Sequence, residues 1–147
     1  MRYALIAALI AAPTLSMAGP AEDTVAARQG FYKLLGANMG VLAGMAQGKM
    51  DYDSAKAQTA ADNMVVLTTY NGAHLFAPGT SSEDVKGARA LPKIWEDFPG
   101  VQAKAADFQA AVKAMQEVAG SGQAEMTAAL GPLGGTCKAC HSNYRAD

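Results

Sequence analysis

The sequence has few cysteines, few charged residues and few aromatic residues, and two of these shortages exclude whole classes of protein. Its 147 residues include only two cysteines, Cys137 and Cys140, too few and too close together for a disulfide framework. Charged residues make up 17% of the chain, and the formal net charge of -1 argues against a basic nucleic-acid-binding surface. Aromatic residues account for only 7%. The length fits one domain whose core needs no disulfide to fold.

The first 18 residues have the pattern of a secretory signal peptide. Arg2 gives a positive start, Tyr3 to Ala12 is apolar, and Ser16-Met17-Ala18 is a cleavage site with small residues at its ends. The alternative interpretation is a first strand or a buried helix. The apolar run is too short to span a membrane comfortably, and no later run is long enough to do so. We therefore expect a signal peptide over 1–18, one domain over 19–147 and an exported product without a membrane span.

The remainder of the chain predicts four helices separated by breaks that contain glycine and proline. Apolar residues recur at three- and four-residue steps, and no segment alternates as a strand would. The first helix starts at Pro20, and the second runs from Asp51 or Asp53 to about Phe76. The third follows Pro99-Gly100, and the fourth should kink or start late at its internal proline, residue 132. This pattern predicts an all-α protein, an antiparallel four-helix bundle with a long crossover between helices 2 and 3.

Cys137, Cys140 and His141 have the spacing C-x-x-C-H, which is typical of c-type haem attachment. Residues three apart lie on one face of a helix, so both thiols can reach the vinyl groups along one edge of a porphyrin. The imidazole of His141 follows directly and can ligate the iron from below the ring. The motif therefore predicts one covalent haem c per chain, with Cys137 and Cys140 as thioether residues and His141 as an axial ligand.

Three other interpretations of this motif are open from the sequence. A zinc site needs four ligands, and His74 is the only other soft donor in the chain. A thioredoxin-like redox pair requires a strand before a helix, and no strand is predicted. A structural disulfide would close a short loop that constrains the unfolded chain little. The signal peptide favours haem, because thioether attachment in bacteria occurs outside the cytoplasm.

The position of the motif restricts where a second axial ligand can come from. Only six residues follow His141, so a donor has to come from upstream, or the iron has none. In an antiparallel bundle, the end of helix 4 lies level with the start of helix 1 and the end of helix 2. Met39 lies about two turns too far along helix 1, at a rise of about 1.5 Å per residue. Tyr32 and His74 are then the two candidate donors at the right level.

The chain resembles cytochrome c′, the class II c-type cytochromes, over essentially all of its length after the leader. The resemblance is strongest over Gly134–Arg145 and extends to four other segments: Ala27–Tyr32, Asn38–Gly40, Leu75–Thr80 and Ile94-Trp95. It implies a periplasmic four-helix bundle, often a homodimer, whose haem is usually five-coordinate and high-spin. It also implies binding of NO and CO, with roles in NO tolerance and electron transfer proposed for the family.

The resemblance assigns roles to side chains around the haem. Arg28 and Gln29 match a pair that contacts the propionates, and a guanidinium pairs well with a carboxylate. The alternative for Arg28 is a solvated surface arginine. Tyr32 matches the position over the distal face, where low-spin members carry a methionine. Three further cofactor-binding residues are expected: Phe76, Arg89, which reaches a propionate, and Arg145, which lies beside the proximal face.

Two functions follow from the two possible states of the sixth coordination position. Tyrosine at position 32 argues for a vacant or weakly blocked position, which predicts binding of NO or CO. Ligation by His74 would instead give a low-spin haem, and the chain would serve as an electron carrier with an unidentified redox partner. Ligation by the Tyr32 phenolate would need a strongly lowered pKa. An enzyme would need a general acid or base over the iron, and we expect no enzymatic activity.

The first predicted helix carries apolar residues outside its core stripe. The stripe comprises Val25, Tyr32, Leu35, Met39, Leu42 and Ala46. Outside it lie Phe31, Leu34 and Val41, and a second apolar face of this kind often packs against another subunit. The alternative is a set of ordinary surface hydrophobic residues. Together with the resemblance, this face predicts a homodimer.

Overall fold

The computed structural model describes residues 19–147, so the predicted signal peptide lies outside the described residues. The helices are α1 (Pro20–Ala46), α2 (Ser54–Thr69), a short α3 (Lys93–Glu96), α4 (Phe98–Val118) and α5 (Gln123–Tyr144), with a 3₁₀ turn over Ala73–Phe76. Helix α1 packs against α2 and α5, and α4 completes the ring between them. This arrangement confirms the predicted all-α four-helix bundle, with the long crossover between α2 and α4. Within the described part of the chain, no helix is long and apolar enough to cross a membrane.

The bundle core consists of methionine, leucine and small aliphatic side chains. Its largest members are fully buried: Leu42, Met45, Met64, Val112, Met115, Met126 and Leu133. Alanines of α2 lie between them and let the helices approach closely. Burial of one such large side chain contributes roughly 1.5–3 kcal/mol, so these few residues hold the bundle together.

The helices begin at residues suited to their first turns. Pro20 occupies the first turn of α1, where its missing N–H costs nothing, and acidic residues follow it. The carboxylate of Asp53 accepts from the backbone N–H of Lys56 at 3.0 Å and caps α2. The carboxylate of Asp97 accepts from the N–H of Gly100 at 3.1 Å and caps α4. Each cap satisfies a backbone donor that has no partner inside its helix.

Helix α2 is shorter than the sequence predicts. It ends at Thr69, and Phe76 belongs to a separate 3₁₀ turn. The hydroxyls of Thr68 and Thr69 bond to carbonyls three residues back, at 2.8 Å each, and thereby compete with the helical ladder. Tyr70 then adopts an extended conformation that redirects the chain. The apolar periodicity runs on to Leu75, which is buried, and therefore overstates the length of the helix.

The other two helix boundaries also differ from the prediction. Helix α4 begins at Phe98, before Pro99-Gly100, because Asp97 provides the cap and proline fits the first turn. Helix α5 runs without a break through Pro132, where a kink or a late start was expected. Pro132 lies on the exposed side of α5, where water can bond the carbonyl that the proline leaves unpaired.

Candidate functional site

The two cysteines lie in the last turns of α5 as free, half-buried thiols. Burial raises the pKa of both Cys137 and Cys140, and the proximity of Cys137 raises that of Cys140 further. Both groups are therefore protonated thiols at neutral pH. Their spacing puts them on one face of the helix, as thioether attachment requires.

His141 follows the cysteines and is also half-buried. Burial lowers the pKa of its imidazole, and the positive charges of Arg145 and Arg89 lower it further. Its Nε2 atom lies 3.4 Å from Nη1 of Arg145. The imidazole is therefore neutral at pH 7, which is the form that ligates a metal.

Tyr32 lies on α1 across from the cysteine-bearing turns of α5. Burial raises the pKa of its phenol, and so do the charges of Cys140 and Cys137, whereas Arg28 acts in the opposite direction. Helices α1 and α5 pack against each other, and the phenol is within electrostatic range of both thiols. The residue is 47% exposed, whereas Leu35 and Leu42 of the same stripe are buried. Its ring packs edge-on against Phe31, with centroids 5.4 Å apart.

Arg28 is buried one turn before Tyr32, with only 4% of its surface exposed. Its Nη1 donates to the carbonyl of Leu75 and to Oγ1 of Thr80, each at 2.9 Å, and its Nη2 donates to the carbonyl of Thr80 at 2.6 Å. The alternative of a solvated surface arginine is therefore wrong. Such a buried charge needs several partners, and these acceptors fix the 3₁₀ turn and the segment after it against α1.

Two aromatic rings flank the Arg28 guanidinium. The ring of Phe76 lies 5.4 Å from its central carbon, and that of Trp95 lies 6.0 Å from it. The indole N–H of Trp95 donates to the carbonyl of Phe76 at 2.9 Å, which joins α3 to the 3₁₀ turn. Sequence reasoning identified Arg28 and Phe76 but missed their contact, because the residues are 48 positions apart.

The other predicted polar residues bind the crossover segment and the C-terminus. Gln29 donates to the carbonyl of Gly87 at 2.9 Å. Nε of Arg89 donates to the carbonyl of Ala146 at 3.2 Å. Together with Arg145 beside His141, these contacts bring the predicted cofactor-binding residues to the same end of the bundle.

His74 lies in the exposed 3₁₀ turn, and its Nε2 atom is 3.0 Å from the hydroxyl of Tyr70. The Tyr70 ring also packs near Phe31, with centroids 5.8 Å apart. Within residues 19–147, no three or more His, Cys, Asp or Glu side chains are grouped so that they could hold a metal ion. The alternative of a zinc site therefore has no suitable set of ligands among these residues.

One pair of residues near the site was missed from the sequence. The hydroxyl of Tyr144, three residues after His141, donates to Oδ2 of Asp97 at 2.7 Å. This bond raises the pKa of Tyr144 and lowers that of Asp97. An Asp shortly before a proline signals a helix cap. No local pattern shows that its second oxygen reaches α5.

The donor set fits covalent haem. Two cysteines that form no disulfide and a neutral imidazole lie within two turns of α5, and this helix packs against α1, which carries Tyr32. Positive charge for a carboxylate lies at this end of the bundle, supplied by the exposed Arg145 and by the buried Arg28. Zinc would require further thiolate or imidazole ligands.

Comparison with known proteins identifies the family. The profile described as Cytochrome C′ matches residues 23–145. The cytochrome c′ of Cereibacter sphaeroides is 49% identical over 146 residues, which cover 99% of this chain and 98% of that protein. The solved cytochrome c′ from Rhodobacter sphaeroides is 47% identical, with a TM-score of 0.85 over 88% of this chain and 99% of that one.

Two more distant solved structures concern the binding of a ligand. One is a cytochrome c′ with an unusual ligand-controlled dimer dissociation, 27% identical with a TM-score of 0.78 over 89% of this chain and 100% of that one. The other is the nitric oxide complex of a mutant cytochrome c prime from Alcaligenes xylosoxidans, 29% identical with a TM-score of 0.74 over 86% of this chain and 97% of that one. The fold, the C-x-x-C-H turn and these similarities agree, and the chain belongs to the cytochrome c′ family of covalent haem c proteins.

Proposed function

We propose that this chain is a periplasmic haem protein that captures NO, and also binds CO, at an open sixth coordination position. We assign it a five-coordinate, high-spin iron and one-electron redox activity toward a partner protein. Its role is non-enzymatic, since the ligand is bound and not converted. The observation that carries the proposal is Tyr32, a bulky side chain on α1, the helix that packs against the C-x-x-C-H helix α5, at the position where low-spin members carry methionine.

The chemistry of Tyr32 supports an open position. A phenol ligates iron as phenolate, and a raised pKa keeps this hydroxyl protonated at neutral pH. The ring therefore acts as steric cover. Steric access and polarity on the distal side decide which small ligands bind a haem, and an aromatic cover favours NO and CO over ligands that need polar stabilisation.

The remaining residues of the site have roles in holding the cofactor. Cys137 and Cys140 form the thioether bonds, and His141 supplies the proximal nitrogen. When bound, the haem supplies the reactive iron and its redox chemistry. Burial lowers the pKa of His141 most, and Arg145, 3.4 Å from its Nε2, lowers it further and keeps positive charge beside the proximal face.

The propionates are the partners we assign to the polar residues of α1 and the crossover. Arg28 already binds the chain through three acceptors, so it offers a fixed cation and not a mobile one. Gln29 and Arg89 extend this polar edge toward the exposed surface. Phe76 lines the same region through its contact with the Arg28 guanidinium.

The hydrogen bond of His74 argues against its acting as the sixth ligand. Its Nε2 atom is engaged by Tyr70, and the residue is exposed. Nε2 of His141 also has a polar neighbour, at 3.4 Å, so the difference between the two histidines is that His74 is exposed and has the shorter contact, whereas His141 is half-buried. The finding that the haem is low-spin and serves as an electron carrier would therefore overturn the proposal.

Optical spectra of the exported protein, ferric and ferrous, with and without CO or NO, test this proposal. We expect a high-spin ferrous spectrum that shifts on addition of CO. Tyr32→Ala should raise CO affinity about tenfold, or ~1.4 kcal/mol, because the steric cover is removed. Tyr70→Ala is the matched control, since Tyr70 also packs near Phe31 and should leave CO affinity unchanged. A sharp low-spin spectrum that is indifferent to CO would overturn the proposal.

We also assign a homodimer, formed through the exposed face shared by α1 and α2. Leu34 is 57% exposed on α1, and Val66 is 68% exposed on α2. One turn away from these residues on the same two helices, Nδ2 of Asn63 donates to Oδ1 of Asn38 at 3.1 Å. Of the three residues predicted to face a partner, only Leu34 fits this role fully, because Phe31 and Val41 are partly buried against the core of their own subunit.

The dimer is tested by sedimentation of the holoprotein at several concentrations, with and without CO. The double variant Leu34→Glu/Val66→Glu should sediment as a monomer, because like charges would face each other across the interface. Met50→Glu, at an exposed methionine beyond the C-terminus of α1, is the control and should leave the dimer intact. A wild-type monomer at all concentrations would contradict this assignment.

A further inference from the structure

The last turn of α5 is attached to the start of α4 by a single carboxylate. Oδ2 of Asp97 accepts from the Tyr144 hydroxyl at 2.7 Å, and Oδ1 of the same group accepts from the N–H of Gly100 at 3.1 Å. Tyr144 is the last residue of α5 and is 94% buried (6% exposed). We call Tyr144, Asp97 and Gly100 the α4–α5 clamp.

Gly100 leaves the room that the clamp needs. A Cβ atom at this position would collide with both the Tyr144 hydroxyl and the Asp97 carboxylate. On the other side of the ring, the ammonium of Lys93 lies 5.8 Å from the Tyr144 ring centre. The tyrosine is therefore held at its hydroxyl and at its ring.

Backbone bonds fix the same turn from the crossover segment. The N–H of Leu91 donates to the carbonyl of Tyr144 at 3.0 Å, and the N–H of Ala146 donates to the carbonyl of Arg89 at 2.8 Å. Cys140 packs on the apolar cluster that contains Tyr144 and Ile94. The turn that carries the second cysteine and the histidine is thus restrained on two sides.

A helix end needs such restraint if it carries a ligand. The last carbonyls of a helix have no partner within it, and helix ends fray. His141 lies in the final turn of α5, where its own carbonyl accepts from the N–H of Arg145 at 3.2 Å. Without outside contacts, the direction of its imidazole would follow the fraying of this turn.

We propose that Tyr144 and Asp97 are positioning residues for His141. The clamp fixes the rotation and height of the last turn of α5, and thereby the direction in which the imidazole meets the iron. This inference rests on the proposed axial role of His141. It assigns a haem-tuning function to a hydrogen bond made three residues after the histidine, which bears on ligand affinity and reduction potential.

The test compares two variants of the holoprotein that each lose one tyrosine hydroxyl. Tyr144→Phe removes the bond to Asp97. Tyr52→Phe is the matched control, because the Tyr52 hydroxyl donates to the carbonyl of Ala119 at 2.9 Å at the other end of the bundle. We expect Tyr144→Phe to change the dissociation constant of CO from the ferrous protein by about two- to tenfold and to shift the midpoint potential. Tyr52→Phe should lower the melting temperature and leave both haem properties at their wild-type values.

A second variant distinguishes the bond of Asp97 to Tyr144 from its role as the cap of α4. In Asp97→Ser, the hydroxyl still caps α4 but is too short to reach Tyr144. It should reproduce the haem changes of Tyr144→Phe, and the double variant should change CO binding no further than either single variant. Full additivity, or a Tyr144→Phe protein whose CO affinity and potential equal those of Tyr52→Phe, would overturn the inference.

The measurements distinguish an error in the proposed function from an error in the role assigned to the clamp. If the wild-type protein does not bind CO, the open coordination position is wrong. The comparison of Tyr144→Phe with Tyr52→Phe then rests on the midpoint potential and the ferrous spectrum. If the wild-type protein binds CO and the two variants agree in every haem property, the clamp alone is wrong.

Discussion

The two ends of the bundle differ in the kinds of side chain that form their interiors. At the end away from the C-x-x-C-H turn, the core is fully buried and apolar, with methionine at positions 45, 115 and 126 packed around Leu42 and Ala119. At the site end, apolar residues form two small separate clusters, one around Val25 and one around Ile94. A charged residue, Arg28, is also buried at this end.

This difference separates the end of the bundle that provides stability from the end that provides the chemistry. The apolar end needs only side chains of suitable volume, and it orients the helices. The site end depends on polar contacts such as those of Arg28 and Tyr144, which have direction and therefore set angles. A haem held at this end would add its apolar surface to these small clusters.

The largest expected effect comes from Cys137→Ala/Cys140→Ala, which removes both attachment points. The protein should lose covalent haem, as measured by mass spectrometry. Amide hydrogen exchange should then accelerate in residues 20–35 and 73–97 and stay slow in 108–119, because only the site end loses part of its core. Uniform acceleration along the chain would contradict the division between the two ends.

Arg28→Met should destabilise the site end by about 3–4 kcal/mol in chemical denaturation. Its removal leaves the buried carbonyls of Leu75 and Thr80 without their donor, at about 1–3 kcal/mol for each orphaned group. Gln29→Met is the control, since it loses one exposed bond to Gly87 and should cost less than about 1 kcal/mol. Equal losses for the two variants would show that the buried bonds of Arg28 contribute nothing special.

Met115→Ala tests the other end of the molecule. The side chain is fully buried, so we expect a loss of about 2–3 kcal/mol from the cavity it leaves. The absorption spectrum and CO affinity of the holoprotein should not change, since the residue lies in the apolar core away from the site. A spectral shift would mean that packing at the two ends is coupled.

The smallest effect is expected from His74→Ala. It removes one exposed bond to Tyr70 and should change stability by less than about 0.5 kcal/mol. The ferric and ferrous spectra should be those of the wild type. Conversion of a low-spin spectrum to a high-spin one would identify His74 as an iron ligand and reverse the proposed function.

The fold class and the attachment motif could be predicted because both are local. Helical periodicity repeats within each segment, and Cys137, Cys140 and His141 lie within five residues. The helix boundaries could be predicted less accurately from the sequence. The end of α2 at Thr69 depends on the Thr68 and Thr69 hydroxyls bonding to backbone carbonyls, whereas periodicity carried the prediction on to Phe76.

The sequence by itself determined an all-α bundle and a C-x-x-C-H turn near the C-terminus. It also provided the tyrosine opposite that turn. Tertiary structure alone decided that Arg28 is buried against Leu75 and Thr80 and that Asp97 reaches Tyr144. The physical reason is distance along the chain: these bonds join residues 47 or more positions apart, and no periodic pattern encodes which groups meet when the helices pack.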